Sequence, residues 1–218
     1  MEQQHKWTVN PPFTFRREVL RKIVHLFGLV YILIFWYFAR SGNSSKGILV
    51  LTSFLVMALL LEQCRIEKPT IPVLRSIWRV LKRPSEYRRL GAEAFLLLGV
   101  IIAFSAFDIR AATAAIGMEL FGDASAALML YAQGRKIYRY RTLKASVVEW
   151  IVNVIIGWFF LRTSAWWITG DFGAPLLIPI FITATTAVLV ETFTYDIDDN
   201  LAVPILAGLA AHVALMIY

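Results

Sequence analysis

The chain of 218 residues has one cysteine, Cys64. That excludes an intrachain disulfide and any metal site built on paired cysteines. Charge is scarce as well: Asp, Glu, Lys and Arg make up 17% of the residues, against about a quarter in a soluble domain. No GxxxxGK[ST] loop and no GxGxxG run occurs in the sequence, so neither glycine-rich phosphate cradle is available. GxSxG and HExxH are missing too, which removes the serine-hydrolase elbow and the zinc-protease helix. A nucleotide or metal held by this chain must therefore be held by helices, carboxylates and basic loops. No cleavable leader is expected, because the start is polar until about Leu20 and no small-residue cleavage site follows the first apolar block.

Apolar residues are abundant, at 58% of the chain. They fall into blocks near residues 23–39, 47–61, 91–107, 109–131, 145–161, 175–190 and 201–218. Their lengths approach the roughly 20 residues that cross a hydrocarbon core as a helix. The expected architecture is all-α: one polytopic membrane domain over residues 1–218, with about seven transmembrane helices. Residues 65–89 contain Ile71, Leu74, Ile77, Trp78 and Leu81 at helical spacing, with Arg75, Arg79 and Lys82 between them. That pattern predicts an amphipathic helix lying in the interface.

Orientation follows from the cations. Residues 1–22, 65–89 and 135–144 hold all of the 22 Lys and Arg residues except Arg40, Lys46, Arg110 and Arg162. Cytoplasmic loops carry such an excess, so the N-terminus and the basic segments are expected on the cytoplasmic side, in a prokaryotic plasma membrane or the endoplasmic reticulum. The same placement accounts for the net charge of +7 by attraction to anionic lipid, without nucleic acid. Whether the chain forms a homodimer is left open.

The fourth block carries Glu119 and Asp123 at i, i+4, one face of a helix. An acid at mid-membrane costs roughly 2.5–3.5 kcal/mol on insertion scales, and an intramembrane acid marks a functional site by default. Asp196, Asp198, Asp199 and Asn200 crowd the start of the last block. One such residue would suffice as a helix cap; several suit a hard cation held by carboxylates together with substrate phosphates. Arg135, Lys136 and Lys144 in the basic loop offer forks and point charges for phosphate. Glu149 is either a further metal ligand or a partner of Lys144. His25 shares a helix face with Arg21, as base, phosphate ligand or structural residue. Glu62 and Arg65, at i, i+3, pair with each other or line the site, and Glu191 opens the acidic hinge that leads to Asn200.

Four segments resemble the family of CTP-dependent lipid-alcohol kinases, which includes dolichol and polyprenol kinase, phytol kinase and the CTP-dependent diacylglycerol kinase. They are Arg21-Lys22-Ile23-Val24-His25, Gly122-Asp123-Ala124-Ser125-Ala126, Lys144 to Glu149, and Asp198-Asp199-Asn200-Leu201-Ala202-Val203-Pro204. The resemblance runs from about Glu18 to Pro204, and the family is distantly similar to phosphatidate cytidylyltransferase. It departs at Trp150, where the family has glycine after its glutamate.

The resemblance implies transfer of the γ-phosphate of CTP, with Mg²⁺, to the hydroxyl of a membrane lipid alcohol: dolichol or polyprenol first, then phytol, geranylgeraniol or diacylglycerol. It implies Asp123, Glu149 and Asp199 as the metal set. Lys22, Arg135, Lys136, Lys144 and Asn200 would bind nucleotide phosphates, and Asp198 or His25 would orient or deprotonate the alcohol. Two alternatives stay open: a synthase that makes a CDP-lipid from phosphatidate, and a lipid carrier or transporter without catalysis.

Overall fold

The computed structural model describes residues 15–67, 90–133, 142–171, 176–194 and 197–218. Among the described residues every regular element is helical. In chain order these are α1 (Phe15–Leu26), α2 (Leu29–Arg40), α3 (Ser44–Glu67), α4 (Ala92–Ala106), α5 (Ile109–Ala132), α6 (Leu143–Thr169), α7 (Leu177–Phe193) and α8 (Asp199–Ile217). Five stretches are long and apolar enough to cross a membrane: Phe15–Arg40, Ser44–Glu67, Ile109–Ala132, Leu143–Thr169 and Asp199–Ile217. Ala92–Ala106 and Leu177–Phe193 are apolar but shorter. Together they overlay the seven apolar blocks of the sequence.

Several helices outrun their apolar blocks. α3 extends on to Glu67 and α6 to Thr169. α1 begins at Phe15 rather than near residue 23. Residues 15–22 are thus not a free polar segment, because α1 turns its charged side inward. Glu18 and Lys22 are buried, while Phe15, Leu20 and Ile23 are exposed. A helix in water would do the reverse; polar residues facing the bundle and apolar ones facing out is the arrangement hydrocarbon favours. The amphipathic helix expected within 65–89 lies outside the described residues from residue 68 on, and its first residues, Arg65 to Glu67, close α3.

A tight turn separates α1 from α2. The N–H groups of Phe27, Gly28 and Val30 donate three residues back, to Val24, His25 and Phe27, at 2.9–3.0 Å. That is the tightened 3₁₀ pattern, which often marks a hinge or a functional site when it interrupts a helix. Gly28 makes the turn fit, because a Cβ there would lie 2.8 Å from Leu120 and 3.0 Å from Leu96.

The centre of the bundle is α5. It packs against α1, α2, α4, α6, α7 and α8, and Ala111 through Leu120 are buried without a break. Small side chains explain this: Ala111, Ala112, Thr113, Ala114, Ala115 and Gly117 let neighbours approach closely, the usual basis of helix association in a membrane. Trp36 Nε1 donates to Thr113 Oγ1 at 3.0 Å, and Trp167 Nε1 donates to the Trp36 carbonyl at 3.0 Å. These bonds tie α2 to α5 and α6 while satisfying both indoles. At the start of α5 Asp108 accepts from the Arg110 N–H at 2.8 Å, and its own N–H donates to His212 Nδ1 at 3.0 Å. Burial would raise the Asp108 carboxyl, but the hydrogen bonds from Arg110 outweigh it and hold it below its ordinary range.

The α5–α6 seam rests on glycines. A Cβ on Gly117 would fall on the Phe160 ring, and one on Gly157 would fall on Met118 Cε. The two differ in what must yield. A ring packed in the core has little room, whereas a methionine end is adaptable. Gly117→Ala is expected to destabilise the detergent-solubilised protein by about 1–3 kcal/mol, and Gly157→Ala by clearly less, read as thermal unfolding midpoints. Equal losses would show that the ring is not the obstacle.

Candidate functional site

The site grows from α1. Glu18, Arg21, Lys22 and His25 fall at i, i+3, i+4 and i+7 and share one helical face. Arg21 donates to Glu18 Oε1 at 2.9 Å. Lys22 Nζ forms an ion pair and hydrogen bond with Asp123 Oδ2 on α5, and only 6% of the lysine side chain is exposed against 25% for Asp123. His25, Glu119 and Asp123 converge, each offering a ligand atom within 4.8 Å of the others. Glu119 is buried and His25 half-buried, and His25 Nε2 is buried with no hydrogen-bond partner among the described residues. Arg21, Lys22, Asp123 and Glu93, the last from the first turn of α4, all act electrostatically on the imidazole.

The second wall is α6. Glu149 is fully buried, and Asp123, Asp199 and Lys22 all lie close enough to act on its charge. Asp123 of α5 and Asp199 of α8 thus lie within electrostatic reach of Glu149 on α6. The tighter convergence differs from the predicted metal set: His25, Glu119 and Asp123 form it, and Asp123 alone is common to both. Asn153, one turn beyond Glu149, is 1% exposed. A Cβ on Gly122 would collide with the Asn153 amide, so the glycine beside Asp123 is what admits that amide. Ser125 Oγ donates to the Gly122 carbonyl at 2.7 Å, a backbone contact of the kind that bends helices.

Asp198 and Asn200 are engaged in a cap. Asp198 Oδ1 accepts from the Asn200 N–H at 3.1 Å and from Asn200 Nδ2 at 2.6 Å, which closes the start of α8. Pro204 lies inside α8 and cannot donate to the carbonyl four residues back, that of Asn200. This carbonyl lies against α4, where a Cβ on Gly99 would come within 2.9 Å of it.

Glu62 and Arg65 pair with each other at 2.6 Å, and Glu62 Oε2 also accepts the Gly91 N–H at 2.8 Å. They join α3 to the start of α4. Glu191 is buried near the end of α7, and Lys144 is exposed in the first turn of α6. Arg135 and Lys136 lie outside the described residues. Glu93 and Asn153 were not singled out from sequence. Asn153 stands at i+4 from Glu149 and Glu93 is a lone acid opening an apolar block, and those are the signals that could have found them.

A groove of about 480 Å³ opens beside the polar cluster. Leu29, Ile32 and Trp36 of α2, Phe121 of α5, and Ile156, Phe159, Phe160, Trp166 and Trp167 of α6 line it. Its wall is nearly all apolar. Leu29 follows His25 by one turn, and Ile156 follows Asn153 by one turn, so the apolar groove begins about one helical turn beyond the polar cluster.

No protein-family model, curated protein or solved structure matches the chain.

Lys22→Met would leave Asp123 among further carboxylates without its ammonium. Removing one partner of a buried ion pair costs about 3–5 kcal/mol, and the partial exposure of Asp123 puts the expected loss toward the low end. Lys22→Arg should recover most of it. An unchanged unfolding midpoint in Lys22→Met would show that the pair carries no stability.

Proposed function

We propose that the chain is a membrane-embedded phosphotransferase, acting at the cytoplasmic face, that phosphorylates the hydroxyl of a lipid alcohol from a nucleoside triphosphate. One observation carries this reading. His25, Glu119 and Asp123 converge, with Lys22 on Asp123, at the head of an apolar groove. An amphiphile needs such a two-part site, polar for the reacting head and greasy for the tail. The resemblance of four motifs to CTP-dependent lipid-alcohol kinases is the second support, and CTP as donor follows from that resemblance alone.

The donor set suits a hard divalent cation. Glu119, Asp123, Glu149 and Asp199 supply carboxylate oxygens, the ligands Mg²⁺ takes alongside substrate phosphates. Among the described residues near this point they outnumber Lys22 and Arg21. Asp123 would hold the ion, with Glu119 and His25 or with Glu149 and Asp199 completing the set. When bound, Mg²⁺ supplies positive charge against the oxygens of the transferring phosphoryl group.

The chain's own residues have distinct tasks. Lys22 places an ammonium beside Asp123, where it can neutralise developing negative charge. Asp198 Oδ1 accepts twice from Asn200 in the α8 cap, whereas His25 stands in the convergent group with Asp123, so His25 is taken as the base. Its Nε2 would take the hydroxyl proton as the alcohol oxygen bonds to the γ-phosphorus and the bond to the nucleoside diphosphate breaks. The surrounding apolar helices exclude water, which favours the alcohol over hydrolysis. Arg135, Lys136 and Lys144 would meet the outer phosphates from the basic loop.

The test is purified protein with labelled CTP or ATP, Mg²⁺ and a panel of lipid alcohols. The expected products are nucleoside diphosphate and lipid phosphate. Pyrophosphate with a CDP-lipid would reassign the chain to cytidylyl transfer, and no nucleotide-dependent turnover with any alcohol would leave the carrier reading. Asp123→Asn is expected to abolish transfer, and because it takes the carboxylate from buried Lys22 it should lower the unfolding midpoint about as much as Lys22→Met does, while Lys22→Met keeps the carboxylate at the site. A fully active Asp123→Asn protein would remove its role at the metal.

A further inference from the structure

We infer that Asn153 binds the substrate hydroxyl: its side-chain amide, buried against Gly122 between the acidic cluster and the apolar groove, hydrogen-bonds the alcohol head group. The inference rests on the lipid-alcohol reading above and names the residue that would make that site selective for a hydroxyl.

The amide is an anomaly as it stands. Asn153 is 1% exposed, and both Oδ1 and Nδ2 are buried with no hydrogen-bond partner among the described residues. Native proteins leave few such groups unmet, and each calls for an explanation. The need is sharper between apolar helices, where water is not at hand to stand in. Packing does not demand an amide here. A leucine would fill similar volume without a polar group to satisfy, so the buried amide costs stability as it stands.

Its place in the helix says what it could meet. Along α6 one stripe reads Glu149, Asn153, Ile156, Phe160, at steps of four, three and four residues. Glu149 belongs to the acidic cluster, and Ile156 and Phe160 line the groove. Along α1 and α2 a matching stripe reads Lys22, His25, Leu29, Ile32, Trp36, turning from polar to apolar in the same direction. Asn153 therefore stands where both walls change character. Gly122 brings it against the backbone next to Asp123.

The chemistry of the amide selects the head group. Oδ1 accepts and Nδ2 donates. A hydroxyl also donates and accepts through one oxygen, so it can meet either amide atom. A phosphate or carboxylate offers acceptors only and would leave Oδ1 unmet, while an ammonium offers donors only and would leave Nδ2 unmet. A neutral alcohol whose tail runs along Ile156 and Phe160 fits both.

Binding tests this without any turnover. Farnesol and farnesyl methyl ether differ in the hydroxyl proton and share the tail. The detergent-purified protein should bind farnesol about tenfold more tightly than the ether, the scale of one or two neutral hydrogen bonds. Asn153→Leu should bind the two equally, farnesol having lost more affinity than the ether, with an unfolding midpoint at or above the parent's. Asn153→Asp, which keeps an acceptor for the hydroxyl proton and loses the amide donor, should keep a preference for farnesol while binding the ether more weakly than the parent does. A parent protein without preference for farnesol overturns the inference, as does an Asn153→Leu protein that keeps the preference. A preference lost in Asn153→Leu, in a protein that turns over no nucleotide, would uphold the hydroxyl site and sink the phosphotransferase reading. Turnover with an unchanged KM for the alcohol in Asn153→Leu would do the opposite.

Discussion

Charge among apolar helices is expensive, and this bundle keeps its buried charges by gathering them. Lys22 on α1 meets Asp123 on α5, and Glu18, Arg21, His25, Glu119 and Glu149 surround that pair within a few helical turns. Hydrocarbon offers no competing solvation, so each group depends on the others for its charge. The need of Lys22 for Asp123 is what turns the polar face of α1 inward and leaves Phe15, Leu20 and Ile23 outside. Catalytic chemistry of the kind proposed needs the same economy: opposite charges held close in a dry place, already oriented before substrate arrives.

Close approach is the second requirement, and glycine and alanine meet it. The site lies between α1, α5 and α6, and large residues on α5 would push those helices apart. Gly28 lets the turn after His25 sit on Leu120, Gly117 admits Phe160, and Gly122 admits the Asn153 amide. Tight packing on the polar side contrasts with the open trough that begins a turn further along, between α2 and α6. The contrast is one of residue size: α5 presents mainly Ala, Gly and Thr to its neighbours, while α2 and α6 present Trp, Phe and Leu that leave space between large side chains.

Much of this was legible along the chain. The apolar blocks located every long helix among the described residues, because block length is matched to hydrocarbon thickness. Asp123 stood out as an acid in an apolar run, and the spacing of Glu119 to Asp123 and of Arg21 to His25 put the right side chains on shared faces. Helix ends were less legible. The start of α1 was missed because its buried face is charged, and hydropathy alone reads a charged face as solvent-exposed. Asn153 and Glu93 were missed because a single asparagine or glutamate carries no pattern until a neighbour is seen beside it. Of the aspartates before α8, Asp198 caps the helix and Asp199 acts toward Glu149, which the order of residues does not reveal.

What the amino-acid order determined by itself was a set of helices long and apolar enough for a bilayer, with acids and bases that have no place in one unless they meet. Periodicity and composition are local, so they decide which face of a helix is polar. They do not decide which helix that face will find. Only the tertiary structure decided that α1 folds onto α5, that Lys22 answers Asp123, and that Gly122 meets Asn153. Those pairings depend on the shapes of three helices fitted together, and no single segment carries that information.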